Sequence, residues 1–321
     1  MNQTLSDLGH IGILMGGCSS EREISLKSGK AVYNALKEIG CNASSLVLES
    51  QDEKEVANLV GKAGIDLAFI ALHGPFGEDG AIQTILEKIG IPYTGSDPKA
   101  SQRAIDKVVT QTLLRDNGLP VADFVIFSKQ DKKSAPNIGK IKKFPVVVKP
   151  AREGSSIGIT LVQAKKDLEK AMEAAFAYGP EILIEQYIKG REMTVGILAN
   201  EALPIVEIKT KAKFFDFQAK YQNPTTEYVV PAELPSEATR EIQQVALKAY
   251  RLIGCSDFSR IDFMLDAKNN PFVLEINTIP GFTATSLLPK AAAAAGYTFS
   301  ALCLKIIQLA YIKKVRISSA G

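Results

Sequence analysis

The sequence predicts a protein that combines α/β and α+β structure in three lobes. Strands alternate with helices at the start of the chain, short strands separated by turns dominate the middle, and hairpins and helices occupy the last third. These three patterns are typical, in that order, of a parallel sheet with helices on its faces and of two antiparallel sheets. We predict lobe boundaries at 1–103, 104–190 and 191–321, and a chain of 321 residues is long enough for several cores.

The first lobe begins with an apolar strand in "HIGILMGG" and an amphipathic helix in "SSEREISLKSGKAVYNALKEIG". Ser20 and Glu23 have capping-box spacing, so we expect this helix to begin near Glu21. A buried strand in "DLAFIAL", a helix near 80–89 and a strand in "IPYTG" complete the parallel sheet. Because ligands bind beyond the carboxyl ends of such strands, the loops "GGCSSE" and "HGPFGEDG" are predicted to present a substrate.

The two later lobes follow a different pattern. A helix from about Ala104 to Asn117 leads into the strands "PVADFVIF", "FPVVVKP", "SIGITLV" and "EILIEQYI", with one helix near 165–177. The last lobe contains a hairpin in "EMTVGILANEALPIVEI" and helices near 236–253 and 298–312. The short Ala-rich segment "KAAAAAG" predicts a surface helix.

The stretch "RIDFMLDAKNNPFVLEIN", residues 260–277, carries four polar groups within a hydrophobic alternation. Side chains on a strand alternate faces, so Arg260 shares a face with Asp262, and Glu275 shares a face with Asn277. A turn at "DAKNNP" predicts an antiparallel hairpin, and a register centred between Lys268 and Asn269 sets Asp262 opposite Glu275. The same register sets Arg260 opposite Asn277, so all four groups project from one face.

Two facing carboxylates repel each other and require a positive partner. The oxygen ligands Asp262, Glu275 and Asn277 suit Mg²⁺, which proteins commonly bind through carboxylates and substrate phosphates. The alternative is a solvated hairpin face on which Arg260 is the counter-ion.

Two further segments indicate a nucleotide site. In "VVVKPAREGSSIGI" a buried strand ends at Lys149 before a glycine loop, and such a loop with a lysine forms a phosphate cradle, although the Walker pattern is absent. In "ILIEQYIKGREMTV", Glu185 and Glu192 are available for amino or ribose hydroxyl groups. The alternatives are a lysine that extends to solvent and acids exposed on an ordinary strand and turn.

Composition excludes several other classes of function. The formal net charge of +3 is too small to argue for nucleic acid binding. Four scattered cysteines, with only His10 and His73 as imidazoles, indicate neither a zinc site nor a disulfide framework. The sequence shows no leader pattern or apolar run of membrane-spanning length, so we expect a cytoplasmic protein whose partners are small molecules.

Eight motifs in a fixed order make the chain resemble the D-alanine:D-alanine ligases of the ATP-grasp family, from about residue 10 to 312. They are "GGCSSEREISLKSG", "HGPFGEDG", "YTGS", "DK" at 106–107, "KPAREGSSIG", "FDFQAKY", "RIDFML" and "EINTIPGFTATSLLP". The resemblance implies a three-lobed ATP-grasp fold that holds ATP between the central and C-terminal lobes. It also implies ligation of two D-alanines through a D-alanyl phosphate for peptidoglycan synthesis, with ATP and two Mg²⁺ ions (or Mn²⁺), in a homodimer.

The resemblance further implies a role for each matching residue. Glu21 would hold the ammonium of the first D-alanine, linked to Ser155 and Tyr221, while Arg260 and the Gly281 N–H would stabilise the oxyanion. The remaining positions fall into substrate, nucleotide and metal groups. The carboxylate of the second D-alanine would contact Ser286 and Leu287, and His73 would lie near the first substrate. The residues that would contact ATP are Lys107, Lys149, Glu185, Tyr187, Ile188, Glu192, Phe214 and the lid residue Lys220. The metal ligands would be Asp262, Glu275 and Asn277.

Simpler interpretations exist for several of these positions: a capping acid for Glu21, a turn serine for Ser155, a packed aromatic for Tyr221 and a satisfied loop histidine for His73. Two departures, Ile279 where serine is usual and Ser259 where glycine is frequent, replace no ligand. Alternative functions are another ATP-grasp ligase, such as a D-alanine:D-lactate enzyme, and a nucleotide sensor without catalysis. Tyr221 favours the dipeptide, because related depsipeptide ligases typically have phenylalanine there.

Overall fold

The structure is a computed structural model that describes residues 4–130, 143–154, 156–209 and 226–319. Its strands form three sheets, with helices packed on their faces. The strands are β1 Ile11–Gly16, β2 Ala43–Leu48, β3 Leu67–Ile70, β4 Phe124–Ser128, β5 Val146–Pro150, β6 Thr160–Val162, β7 Glu181–Gln186, β8 Arg191–Leu198, β9 Glu201–Ala202, β10 Val206–Lys209, β11 Glu227–Val229, β12 Phe258–Leu265 and β13 Pro271–Asn277. The helices are α1 Arg22–Glu38, α2 Glu53–Lys62, α3 Ala81–Lys88, α4 Pro98–Ile105, α5 Lys107–Asp116, α6 Leu168–Phe176, α7 Ser236–Ile253, α8 Leu287–Ala294 and α9 Phe299–Ser319.

The first sheet has the order β2-β1-β3, and both pairings are parallel, as predicted. Helix α1 begins where expected, but the capping box is wrong: Glu21 is the N-cap residue, and its amide donates to Ser19 Oγ at 3.2 Å. The strand predicted in "IPYTG" is reduced to one bridge between Tyr93 and Ala68. Pro92 has no N–H to donate and Gly95 turns away with φ 92°, so the pairing extends no further.

The helix predicted from Ala104 is interrupted, and this prediction is wrong at its start. Asp106 has an extended backbone, φ −86° and ψ 101°, between α4 and α5. Its carboxylate accepts from the amides of Val108 and Val109 at 3.0 and 3.1 Å, which caps α5. The interruption sets Lys107 at the first position of α5, where its side chain is buried.

The second sheet has the order β4-β7-β5-β6 and is antiparallel throughout, as the turn-rich pattern predicts. Helix α6 covers one face and buries Leu168, Met172 and Phe176 against Val148 and Ile184 of the sheet. Lys149 on β5 and Glu185 on β7 are buried polar residues of this sheet.

The third sheet has the order β11-β10-β8-β12-β13, with β9 beside β8. The predicted hairpin register is confirmed: Arg260 pairs with Asn277, and Asp262 pairs with Glu275. A bulge that the sequence does not signal follows directly, because Phe263 pairs with Val273. Bulges increase local twist and occur often beside functional sites.

The Ala-rich helix α8 is the predicted surface helix on one side only, where Ala293 and Ala294 are exposed. Ala291 and Ala292 are 0% and 1% exposed, because α8 packs on β8. A Cβ at Gly196 would lie 2.5 Å from Leu288 Cδ1, so this close approach requires glycine on the strand. Small residues on both elements therefore allow α8 to join the core.

Two C-terminal helices form the only pair in the described ranges that is long and apolar enough, by length and hydropathy, to cross a membrane. No helix there meets both criteria alone. The pair Leu287–Ala294 and Phe299–Lys313 meets them together, although its two parts are bent by 102°.

The fold class of the sequence prediction is confirmed, whereas the three lobe boundaries stay predictions.

Candidate active site

The first cavity, of about 380 Å³, lies between the second and third sheets. One wall comes from β5 and β7, and the facing wall comes from β8, β10, β12 and β13. Six residues predicted to contact ATP line it together. They are Lys107, Lys149, Glu185, Tyr187, Ile188 and Glu192.

A second cavity, of about 630 Å³, lies between the loops of the first sheet and the third sheet. Six residues with predicted catalytic or substrate-binding roles line it. They are Glu21, His73, Arg260, Gly281, Ser286 and Leu287. The loops after β1 and β3 therefore lie where the carboxyl-end rule predicts.

The two cavities share a wall. Asp262 and Glu275 line both of them, and Asn277 lines the second. Their position follows from the hairpin register, since paired strands set the two carboxylates side by side on one face. A group held by these carboxylates would thus contact the contents of both cavities.

Asp262 accepts several hydrogen bonds at this wall. Arg260 donates from Nε to Oδ1 and from Nη2 to Oδ2, each at 2.8 Å. Thr194 Oγ1 donates to Oδ1 at 2.6 Å, and Asn277 Nδ2 donates to Oδ2 at 3.1 Å. The carboxylate is 6% exposed, so these four hydrogen bonds offset the loss of water.

Two buried lysines face the first cavity. Lys149 Nζ lies 2.7 Å from Glu185 Oε2, and each residue is 5% exposed. Glu185 Oε1 is buried and has no hydrogen-bond partner among the described residues. Lys107 Nζ donates to the backbone carbonyl of Glu153 and lies 3.6 Å from Glu275 Oε2. Burial raises the pKa of the Glu153 carboxyl, and the charge of Lys107 opposes that rise.

The loop that carries Gly281 is attached to α1 and to the segment that follows β3. His73 Nδ1 lies 3.1 Å from the carbonyl oxygen of Ile279, and His73 Nε2 lies 2.9 Å from Ser28 Oγ. Ser28 Oγ also accepts from the amide of Phe282 at 3.1 Å. Both ring nitrogens of His73 are thus directed at protein groups, which favours a supporting role over direct contact with a substrate.

Sequence reasoning missed several residues at the site. Thr194 was detectable, because it lies two positions after Glu192 on the same strand and faces Asp262 in the register. Ser28 gave no signal, since its partner Phe282 lies 254 residues away. Lys27 and Lys290, which line the second cavity, were also missed.

Four predicted site residues lie outside the residues that the structure describes. They are Ser155, Phe214, Lys220 and Tyr221. Their roles, and the lid prediction, stay predictions.

Comparisons with known proteins identify the family of this chain. Two family models match the chain: "D-ala D-ala ligase N-terminus" over residues 47–96 and "D-ala D-ala ligase C-terminus" over residues 113–308. A D-alanine–D-alanine ligase of Carboxydothermus hydrogenoformans is 43% identical over 310 residues, covering 93% of this chain and 97% of the relative. A second, from Geotalea uraniireducens, is 43% identical over 303 residues, covering 94% and 96%.

Solved structures show the same likeness. The D-alanine–D-alanine ligase of Bacillus anthracis in complex with ATP has a TM-score of 0.84 at 35% identity, covering 96% of this chain and 99% of that one. The D-Ala:D-Ser ligase VanG of Enterococcus faecalis has a TM-score of 0.81 at 30% identity, covering 94% and 99%. With both family models and near-complete relatives in agreement, this chain belongs to the D-alanine–D-alanine ligase family of ATP-grasp enzymes.

Proposed function

We propose that the protein ligates two D-alanine molecules to D-alanyl-D-alanine for peptidoglycan synthesis, converting ATP to ADP and phosphate. The observation that carries this proposal is the shared wall: a nucleotide-facing cavity and a substrate-facing cavity meet at Asp262 and Glu275. Phosphoryl transfer requires charge neutralisation and positioning rather than covalent catalysis by the protein. The buried lysines and carboxylates of this wall supply both.

The reaction has two chemical steps. A carboxylate oxygen of the first D-alanine attacks the γ-phosphorus, the bond to the β,γ-bridging oxygen breaks, and ADP leaves with that electron pair. The neutral amine of the second D-alanine then attacks the acyl carbon. Its C–N bond forms, the C–O bond to phosphate breaks, and the nitrogen releases a proton.

The residue roles are those that the family resemblance implies, and the cavity that each side chain lines supports them. Lys107 and Lys149 would bind phosphate groups in the first cavity, where Glu185, Tyr187, Ile188 and Glu192 would enclose the adenosine. In the second cavity, Glu21 would hold the first ammonium, and Ser286 with Leu287 would receive the second carboxylate. Arg260 and the N–H of Gly281 would stabilise the oxyanion.

The donor set at the shared wall fits Mg²⁺. Two carboxylates and one amide stand at neighbouring positions of paired strands, and oxygen ligands of this kind suit a hard cation. Asp262, Glu275 and Asn277 would hold two Mg²⁺ ions, with Mn²⁺ as a substitute, and the ions would neutralise charge on the phosphates. Asn277 directs its Nδ2 at Asp262, so metal binding requires its amide to present oxygen instead.

We also propose a cytoplasmic homodimer. Support for the compartment comes from the ATP requirement and from four free cysteines. Burial raises the pKa of the Cys255 thiol to about 12, as suits a structural thiol in a reducing environment. The dimer is a family expectation that light scattering on the purified protein would test directly.

A substrate comparison tests the ligase proposal. ADP formation is measured at neutral pH with D-alanine alone, with D-alanine plus D-lactate and with D-alanine plus D-serine, and mass spectrometry identifies each product. We expect D-alanyl-D-alanine in every arm as the main product. Absence of D-alanine-dependent ADP formation would refute the proposal, and a depsipeptide or a D-alanyl-D-serine product would reassign the second substrate.

A further inference from the structure

We propose that Ser28 is a positioning residue for the amide-forming step, acting with His73 to hold the backbone on both sides of Gly281. The inference rests on the proposed function, because it concerns the N–H assigned to the oxyanion. Ser28 lies on α1 and His73 follows β3, so both belong to the first lobe, whereas Gly281 belongs to the last. The two residues attach one lobe to the catalytic loop of another.

The contacts bracket Gly281 along the chain. His73 Nδ1 reaches the Ile279 carbonyl, two residues before Gly281, at 3.1 Å. Ser28 Oγ accepts from the Phe282 amide, the residue after Gly281, at 3.1 Å. Phe282 also buries its ring against Phe69 and Phe258, with centroids 5.5 and 5.8 Å apart. The peptide unit with the Gly281 N–H thus lies between two backbone groups that hydrogen bonds hold in place, the Ile279 carbonyl and the Phe282 amide.

The direction of each hydrogen bond is determined by chemistry. The Ile279 carbonyl can only accept, so His73 Nδ1 carries a proton, and Glu78 Oε1 at 3.7 Å from Nδ1 favours that tautomer. In the neutral ring this tautomer leaves Nε2 without a proton, so Nε2 accepts from the Ser28 hydroxyl at 2.9 Å. Ser28 Oγ in turn accepts from Phe282, so this one oxygen joins the ring to the loop.

Burial makes this connection difficult to replace. Ser28 is 1% exposed and His73 is 4% exposed, so water has little access to compensate a lost hydroxyl. Truncation of Ser28 would leave the Phe282 N–H and His73 Nε2 without that partner. The Gly281 N–H would then be less well aligned, and an oxyanion donor must be held close to where charge develops.

The loss should affect the second chemical step and not the first. Acyl phosphate formation depends on the first cavity, the shared wall and the proposed ammonium partner Glu21, whereas the tetrahedral oxyanion forms only when the amine attacks. A serine-to-alanine variant should therefore form the acyl phosphate, return it to ATP and release dipeptide slowly. A purely structural role for Ser28 would lower both steps together.

Isotope exchange distinguishes these cases. Scrambling of the β,γ-bridging oxygen in ¹⁸O-labelled ATP reports reversible acyl phosphate formation, and dipeptide release reports turnover. For Ser28→Ala we expect the ratio of exchange to turnover to rise about tenfold while KM for ATP stays within about twofold of wild type. His73→Gln should raise the ratio similarly, and the double variant should add little, since the two residues act through one connection.

Ser25→Ala is the matched control. Ser25 is also buried on α1, where it accepts from the Gly16 amide and donates to the Ala71 carbonyl, each at 2.8 Å, without contact to the 279–282 backbone. Its exchange ratio should match that of wild type. An unchanged ratio in Ser28→Ala, or an equal rise in Ser25→Ala, would overturn the inference. Should Ser28→Ala fail to fold, Ser28→Cys keeps the size with a weaker donor, and the same criteria apply.

A second measurement separates this inference from the proposed function. If the wild-type protein shows neither exchange nor dipeptide, the ligase proposal has failed. Amide hydrogen exchange of peptides covering 279–283 then decides on the connection itself. Faster exchange in Ser28→Ala than in wild type and Ser25→Ala supports it, and identical protection in all three overturns it.

Discussion

Two buried carboxylates on opposite walls of the first cavity differ in how completely they are hydrogen-bonded. Asp262 accepts four hydrogen bonds, from Arg260, Thr194 and Asn277. Glu185 is equally buried and pairs with Lys149 at 2.7 Å, yet its Oε1 has no partner within the described ranges. A buried acceptor without a donor is costly, and such an atom in a cavity is available to a ligand donor.

The difference indicates two modes of ligand binding. Glu185 can add a donor from the ligand, such as the amino group of adenine, without breaking any contact. To bind the proposed cation, Asp262 would have to exchange protein donors for it, which would free Arg260 for its proposed role at the developing oxyanion. The first carboxylate should therefore act in affinity, and the second should act in turnover.

Asp262→Asn should have the largest effect. The variant removes a proposed metal ligand and leaves the guanidinium of Arg260 without its paired carboxylate. Turnover should fall at least about 1000-fold. The free energy of unfolding should fall by about 3 kcal/mol, since one partner of a buried pair is lost. Steady-state kinetics and urea unfolding measure the two effects.

Asp266→Asn provides the control in the same hairpin. Asp266 is half-buried and holds the turn by accepting from the amides of Lys268 and Asn270 at 2.8 and 2.9 Å. This variant should unfold more easily and retain turnover. Equal losses of turnover in both variants would mean that Asp262 acts only through hairpin stability.

Glu275→Gln should have a smaller effect on turnover. The change preserves shape and removes the charge that lies 3.6 Å from Lys107 Nζ. We expect folding to be nearly intact and turnover to fall at least about tenfold, because a charge partner of the transition state is lost. Electron paramagnetic resonance of Mn²⁺ should show weaker metal binding. Turnover and metal affinity like wild type would remove Glu275 from the metal site.

The hairpin was predictable and the adjoining features were not, for physical reasons. Period-two alternation around a polar turn determines which groups share a face, so the pairing of Asp262 with Glu275 followed from the sequence. The bulge after Asp262 depends on packing with both neighbouring strands and has no local signal. The glycine loop indicated a phosphate site at Lys149, whereas only the family resemblance assigned Glu21 and Lys107 to the same site.

The helix interruption at Asp106 shows why local patterns were insufficient. The sequence predicts one helix that begins at about Ala104, which lies in α4, and so it does not separate the end of α4 from the start of α5. In the fold, the amide of Lys107 donates to the Ala151 carbonyl at 2.8 Å, and Arg152 pairs with Asp106 at 2.8 Å. These contacts span more than 40 residues of sequence. Tertiary partners therefore override propensity and direct Lys107 into the cavity.

Glu185→Gln should act mainly on nucleotide affinity. Removing the charge weakens the ion pair with Lys149, and it weakens Oε1 as a hydrogen-bond acceptor for the ligand. We expect KM for ATP to rise about fivefold to tenfold with little change in turnover at saturating ATP. Preference for ATP over inosine triphosphate, which lacks the amino group, should decrease. Glu181→Gln on the same strand, outside the cavity lining, is the control, and unchanged nucleotide preference in Glu185→Gln would exclude base recognition by this carboxylate.

Glu207→Gln should have the smallest effect, and it calibrates the Asp262 result. Arg191 donates to both oxygens of Glu207 at 2.8 and 2.7 Å, the same two-point geometry that Arg260 has with Asp262. Hydrogen bonding from Arg191 holds the pKa of Glu207 below its ordinary value of 4.5. The stabilisation is therefore present above pH 4.5 and is lost as pH falls through the folded-state pKa. Urea unfolding should show a deficit of about 1 to 2 kcal/mol at pH 7 for the variant, shrinking at lower pH.

The exposed Glu201→Gln on β9 should show no such pH-dependent deficit. A deficit of equal size at acidic and neutral pH would mean that packing, and not the charge pair, explains the Glu207 effect. If Asp262→Asn then destabilises the protein no more than Glu207→Gln does, the extra hydrogen bonds from Thr194 and Asn277 add nothing to stability. In that case, replacing these hydrogen bonds of Asp262 by a cation would cost the protein little stability.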